Sequence, residues 1–155
     1  YPSRDEERVI IERMAHPEVS LKALAVASLK DITAARGWVD KIYIDEKIIE
    51  YILDIVCATR PKHRAELSQR QSGVKLDSLE SLIQYGASPR AAIALALSAK
   101  AQAFLEGRAY VMPQDVKGLA HDVLRHRIIL SYEAEAEGMN TDDVIRKILD
   151  ELRTP

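Results

Sequence analysis

The sequence has one cysteine, Cys57, among its 155 residues. No disulfide can form within the chain, so its stability has to come from burial. At this length folding removes roughly 70% of the surface that the unfolded chain exposes, enough for one core without a structural metal. Glycine and proline are scarce, at six each, which excludes a collagen-like or low-complexity chain. No apolar run reaches the ~20 residues of a membrane-spanning helix. The opening stretch Tyr1-Pro2-Ser3-Arg4-Asp5-Glu6 lacks the apolar segment of a secretory signal, and a cytoplasmic protein is the default expectation. A surplus of positive charge is missing too. Lys plus Arg number 22 against 24 Asp plus Glu, a net charge of -2, whereas a dedicated nucleic-acid binder carries a strong basic excess.

The residues of a self-sufficient enzyme are also absent. No Walker A phosphate loop occurs. His16, His63, His121 and His126 include no helical i, i+4 pair, and Cys57 alone could join them, so no metal site is expected. Glu133, Glu135 and Glu137 alternate with alanines; such carboxylates do not converge on a helix and read as a solvated face. Tyr85, Tyr110 and Tyr132 fall near expected helix ends, where a ring packs while its hydroxyl stays wet. The basic stretch from Arg60 to Lys75, with Lys62, Arg64 and Arg70, has no aromatic residue on which a base could stack. It reads as a solvated loop or weak helix.

What the chain does have is helical spacing almost throughout, and the expected fold class is all-α. Ser3 and Glu6 form a capping box before a helix whose apolar face includes Val9, Ile10 and Met14, interrupted at His16-Pro17. Residues 18–27 read as a strap or a short extra helix. Ser28 caps a second helix, and Asp45 to about Arg60 gives a third with Ile48, Ile52, Ile55 and Val56 in one stripe. Leu76, Leu79, Leu82 and Ile83 form a short apolar segment. Ser88-Pro89 then starts a helix running to about Glu106, with Ile93, Leu97, Ala101, Phe104 and Leu105 as its apolar face and Gly107 at its end. Pro113 opens a further helix that faces Val116, Leu119, Ala120 and Val123 inward. The last begins near Thr141 and buries Val144, Ile145, Ile148, Leu149 and Leu152. One short hairpin is expected, pairing Ile128-Ile129-Leu130 with Tyr110-Val111.

Arg90 stands apart from this pattern. It lies in the first turn of a helix, where free backbone N–H groups favour an anion and the dipole disfavours a cation. An arginine there is either simply solvated or matched to an external anion.

Several short motifs then occur in order. They are Tyr1-Pro2-Ser3 with Asp5-Glu6-Glu7, Asp40-Lys41-Ile42-Tyr43-Ile44-Asp45 with Tyr51-Ile52, and Ala58-Thr59-Arg60. Gly86-Ala87-Ser88-Pro89-Arg90-Ala91 follows, then Gly107-Arg108-Ala109-Tyr110-Val111 with Pro113-Gln114-Asp115-Val116, and Leu124-Arg125-His126-Arg127-Ile128-Ile129-Leu130. Together they resemble the C-terminal part of the MoxR family of AAA+ ATPases over almost the whole chain. The resemblance implies trailing helical segments of an ATPase core and linker over residues 1–42 and a helical lid domain over 43–155. It makes Arg90 the sensor 2 arginine that contacts the γ-phosphate of ATP, with Gly86, Ser88 and Pro89 close to the nucleotide. It also implies that ATP and Mg2+ are held mainly by Walker motifs and carboxylates before Tyr1, so that this segment alone is inactive. The partners implied are the protein's own ATPase core, neighbouring subunits of a hexameric ring, and proteins with a von Willebrand factor A domain. The implied role is chaperone-like maturation of protein complexes. Two departures stand out. Met112 replaces the hydroxyl residue usual before the proline, and the 61–75 segment is longer and more basic than in many relatives. The competing reading is a stand-alone helical binding module using the 60–75 segment on nucleic acid or an acidic protein surface.

Overall fold

The computed structural model describes residues 1–15, 24–71, 76, 79 and 81–155. They form two compact units, Tyr1–Thr33 and Ala34–Pro155.

In the first unit, α1 (Arg4–Met14) begins with the expected capping box. The Ser3 backbone N–H donates to Glu6 Oε2 at 2.7 Å, and the carboxylate sits where the helix dipole favours it. The expected inward face is not buried: Val9, Ile10 and Met14 are all exposed. Spacing fixes which side of a helix is apolar but not whether anything covers it. His16-Pro17 and most of the 18–27 strap lie outside the described residues, while 24–27 are exposed and non-helical. Ser28 caps α2 (Leu29–Asp40), its Oγ accepting from the Asp31 N–H at 3.2 Å.

The second unit contains the end of α2. There Trp38 is 58% exposed, and the Lys41 ammonium lies 4.5 Å from its ring centre. Asp45 caps α3 (Glu46–Ala58), which buries the expected stripe Ile48, Ile52, Ile55 and Val56 together with Tyr51, Asp54 and Ala58. A 3-10 turn (Pro61–His63) and α4 (Arg64–Arg70) follow. Next come β1 (Ile83–Tyr85), α5 (Pro89–Leu105), α6 (Pro113–Leu124), β2 (Ile129–Leu130), α7 (Tyr132–Ala136) and α8 (Thr141–Glu151). Helix α5 packs on α3 and α6, and α8 closes the core against α6 and α3. The α8 stripe Val144, Ile145, Ile148 and Leu149 is buried as expected, with Leu152 just beyond it. The fold is helical with one two-stranded sheet among the described residues.

Two expectations fail here. Ile93 and Leu97 of α5 are 60% and 58% exposed, and Leu105 is exposed too. The buried stripe is instead Ala91, Leu95, Ala99 and Ala103. This helix is apolar on nearly every side, so periodicity could not choose its inner face, and α3 and α6 approach along the small residues. The hairpin is also different. β2 pairs antiparallel with β1, Ile83 opposite Leu130 and Tyr85 opposite Ile129, while Tyr110 makes a single parallel bridge to Tyr43. Strands of two or three residues carry no legible period.

The α5–α6 connection shows why its residues are spaced as they are. Gly107 ends α5 at φ +71°, the left-handed region that favours glycine. Arg108 then forks onto Asp115, donating to its two carboxylate oxygens at 2.9 and 2.6 Å. The same carboxylate accepts the Met112 N–H at 2.8 Å. The position that lacks a hydroxyl cap is therefore held from the other side of the box.

Candidate functional site

Strand β1 ends at Tyr85, and only Gly86, Ala87 and Ser88 separate it from α5. This link is clamped by the end of α3. Thr59 is fully buried. Its Oγ1 donates to the Val56 carbonyl at 2.6 Å and accepts the Ala87 N–H at 2.9 Å. Arg60 Nε donates to the Ala87 carbonyl at 2.8 Å. Both polar groups of the Ala87 backbone are thus satisfied by neighbouring residues at the helix end, as a buried backbone requires. Gly86 lies so close that a Cβ there would come within 2.3 Å of the Thr59 carbonyl oxygen. Only glycine fits without moving backbone.

Downstream, Ser88 occupies the expected N-cap position with extended geometry and Pro89 the first turn, but the Ser88 hydroxyl makes no capping hydrogen bond. It is exposed. Arg90 is exposed as well, and it makes no hydrogen bond or ion pair with any described residue. Its i, i+3, i+7 neighbours Ile93 and Leu97 share its face, so the cation heads an uncovered apolar stripe. Four predicted residues, Gly86, Ser88, Pro89 and Arg90, are therefore gathered at one helix entrance. Thr59 and Arg60, which hold that entrance, were legible in the sequence only as a motif without a role. Their contact with Ala87 joins residues 28 and 27 positions apart.

The basic 60–75 segment does not form a cationic surface over its described part. Arg64 is buried, with Nε on the Ala58 carbonyl at 2.9 Å and an Nη on the Leu79 carbonyl at 2.6 Å. It ties α3 to the following chain. Arg70 pairs with Glu50. Of the three cations named for this reading, Lys62 alone is exposed without a partner among the described residues; residues 72–75 lie outside them. Cys57 is half-buried, and burial pushes its thiol above the usual range, away from nucleophilic chemistry. No group of carboxylates, histidines or cysteine among the described residues is arranged to hold a metal. None of the described helices is long and apolar enough to cross a membrane.

Comparison with known proteins adds the decisive observation. Residues 78–148 match the AAA lid domain family. The whole chain is 32% identical to the chaperone MoxR1 of Mycobacterium tuberculosis, covering 38% of that protein. Along its whole length the chain is similar to a MoxR chaperone, and it carries a segment matching the AAA lid domain. Over 88 residues, 54% of the chain and 25% of the relative, the sequence is 32% identical to the protein MoxR of Methylorubrum extorquens. A crystal structure of a candidate ATPase from Cytophaga hutchinsonii superposes on the entire chain with a TM-score of 0.87 at 37% identity, over 44% of that structure. The chain spans less than half the length of these relatives.

Proposed function

We propose that the second unit closes over ATP bound by an ATPase core and that Arg90 is its sensor 2 arginine, set against the terminal phosphate. The observation that carries this reading is an exposed guanidinium without a partner among the described residues, fixed in the first turn of α5 by a clamped link. A cation at that position gains nothing from the helix dipole, so its placement is explained by an anion outside this chain. Arginine suits the task because it stays charged and offers forked donors to phosphate oxygens. ATP supplies the phosphoanhydride whose hydrolysis drives the cycle, and Mg2+ would be held by carboxylates of the core. The Ser88 hydroxyl and the α5 N-terminus lie beside Arg90 and suit the same anion. In this reading residues 1–42 are trailing core and linker, 43–155 the lid, and hydrolysis is passed to neighbouring subunits of a hexameric ring. Chaperone-like remodelling of protein complexes, with von Willebrand factor A domain partners, follows from the family resemblance.

The test is made on the intact protein that carries this segment. Arg90→Ala leaves thermal stability within about 0.5 kcal/mol, as for an exposed residue without partners. Steady-state ATP turnover falls at least about tenfold, one decade for each 1.4 kcal/mol of lost transition-state stabilisation. ADP affinity changes less. Full turnover in a well-folded variant removes the assignment, and a collapsed melting temperature makes Arg90 a structural residue.

A further inference from the structure

Thr59 and Arg60 enter that reading only as the clamp on the link, where they hold the peptide that precedes the helix carrying Arg90. We infer that the two residues form a positioning latch that sets the sensor arginine by fixing the Ala87 peptide groups against the C-terminal end of α3. The inference rests on the assignment of Arg90 and adds the residues through which the lid core controls it.

The geometry leaves this link little freedom. Upstream, β1 is tied to β2, and the Ser131 N–H donates to the Leu82 carbonyl at 3.0 Å. In the middle, Ala87 has its N–H on Thr59 Oγ1 and its carbonyl on Arg60 Nε. Gly86 closes the approach of the two backbones. Downstream, the Pro89 ring fixes φ and the Ser88 carbonyl accepts the Ala91 N–H at 2.9 Å, starting the helix. The Thr59 hydroxyl is both donor and acceptor in this arrangement, and its side chain is fully buried. Serine can replace it in that role; valine, equal in shape, leaves the Ala87 N–H and the Val56 carbonyl without that partner. A shift of α3 is thereby transmitted to the α5 entrance through two hydrogen bonds rather than through a flexible loop.

A double-mutant cycle on the intact ATPase tests this, because residues acting as one unit are not additive. Thr59→Val lowers kcat for ATP on the order of tenfold while KM stays within about twofold, and Thr59→Ser restores most of the loss. In the Arg90→Ala background, Thr59→Val produces no further fall. Arg60→Met, which removes the bond to the Ala87 carbonyl but keeps an apolar stem, follows the same pattern and carries the cycle if Thr59→Val does not fold. An equal fall with and without Arg90, or unchanged turnover when either latch residue is replaced, overturns the latch. Full turnover in Arg90→Ala alone instead overturns the sensor assignment, so the two failures are told apart by that single variant.

Discussion

Arg90 and Thr59 show opposite relations between a residue and its surroundings. Arg90 was legible because everything that makes it unusual is local: a cap position, a proline and a cation within three residues. Thr59 was not, because its meaning appears only when residue 87 arrives beside it. Gly107 belongs to the legible kind. Its φ is +71° and, its own chain neighbours aside, no atom lies within 4 Å of the point a Cβ would occupy, so conformation alone demands glycine. Gly107→Ala therefore costs about 1–2 kcal/mol from backbone strain without any steric clash. Denaturant unfolding of the protein checks this, and an unchanged midpoint would show that the turn relaxes out of the left-handed region. At Gly86 the demand is the reverse, since open conformation is irrelevant and crowding by the Thr59 carbonyl decides.

Elements with one clear apolar stripe were readable end to end. Helices α3 and α8 bury the residues that spacing selects, because charged side chains, the buried Asp54 of α3 excepted, occupy their other faces. In α5 no such contrast exists, and the choice between the Ala91-Leu95-Ala99-Ala103 stripe and the Ile93-Leu97 stripe was made by its neighbours. Small residues win because they let α3 and α6 come near. Enlarging the inner stripe with Ala99→Leu then overpacks a fully buried position and costs about 1–3 kcal/mol. Leu97→Ala, on the outer stripe, stays within about 0.5 kcal/mol. Paired thermal melts decide the orientation of α5, and a larger loss for Leu97→Ala would reverse it. The short β1–β2 pair was beyond sequence reasoning for a different cause, since its register depends on where the flanking helices place two short segments.

At the scale of the whole molecule, the last helix is joined to the rest by charge as well as by its apolar stripe. Asp142, in the first turn of α8, faces His121 Nδ1 at 3.1 Å and accepts from Arg125 Nε at 3.1 Å, both across from α6. Hydrogen bonding to His121, and next to Arg125, holds its carboxyl below the usual range. The folded protein thus binds that proton less readily than the unfolded chain. The contribution to stability is present above the ordinary carboxylate range, near pH 4, and is lost as the pH falls through the depressed folded value. Asp142→Asn lowers the melting temperature at neutral pH and flattens its decline in acid. Thermal melts on either side of the ordinary aspartate midpoint, at about pH 4, check the sign; identical acid limbs would mean that the contact does not couple to folding.

The sequence contains one tryptophan, Trp38, and the structure leaves its indole half in water beneath the Lys41 ammonium. Indole emission moves to shorter wavelength when water is removed from the ring. Every photon of tryptophan fluorescence from this segment therefore originates at a single known place, on the surface near Phe104 and Gly107 at the far end of α5 from Arg90. The chain is a natural optical instrument: whatever settles on that surface can be timed by stopped-flow without attaching a dye.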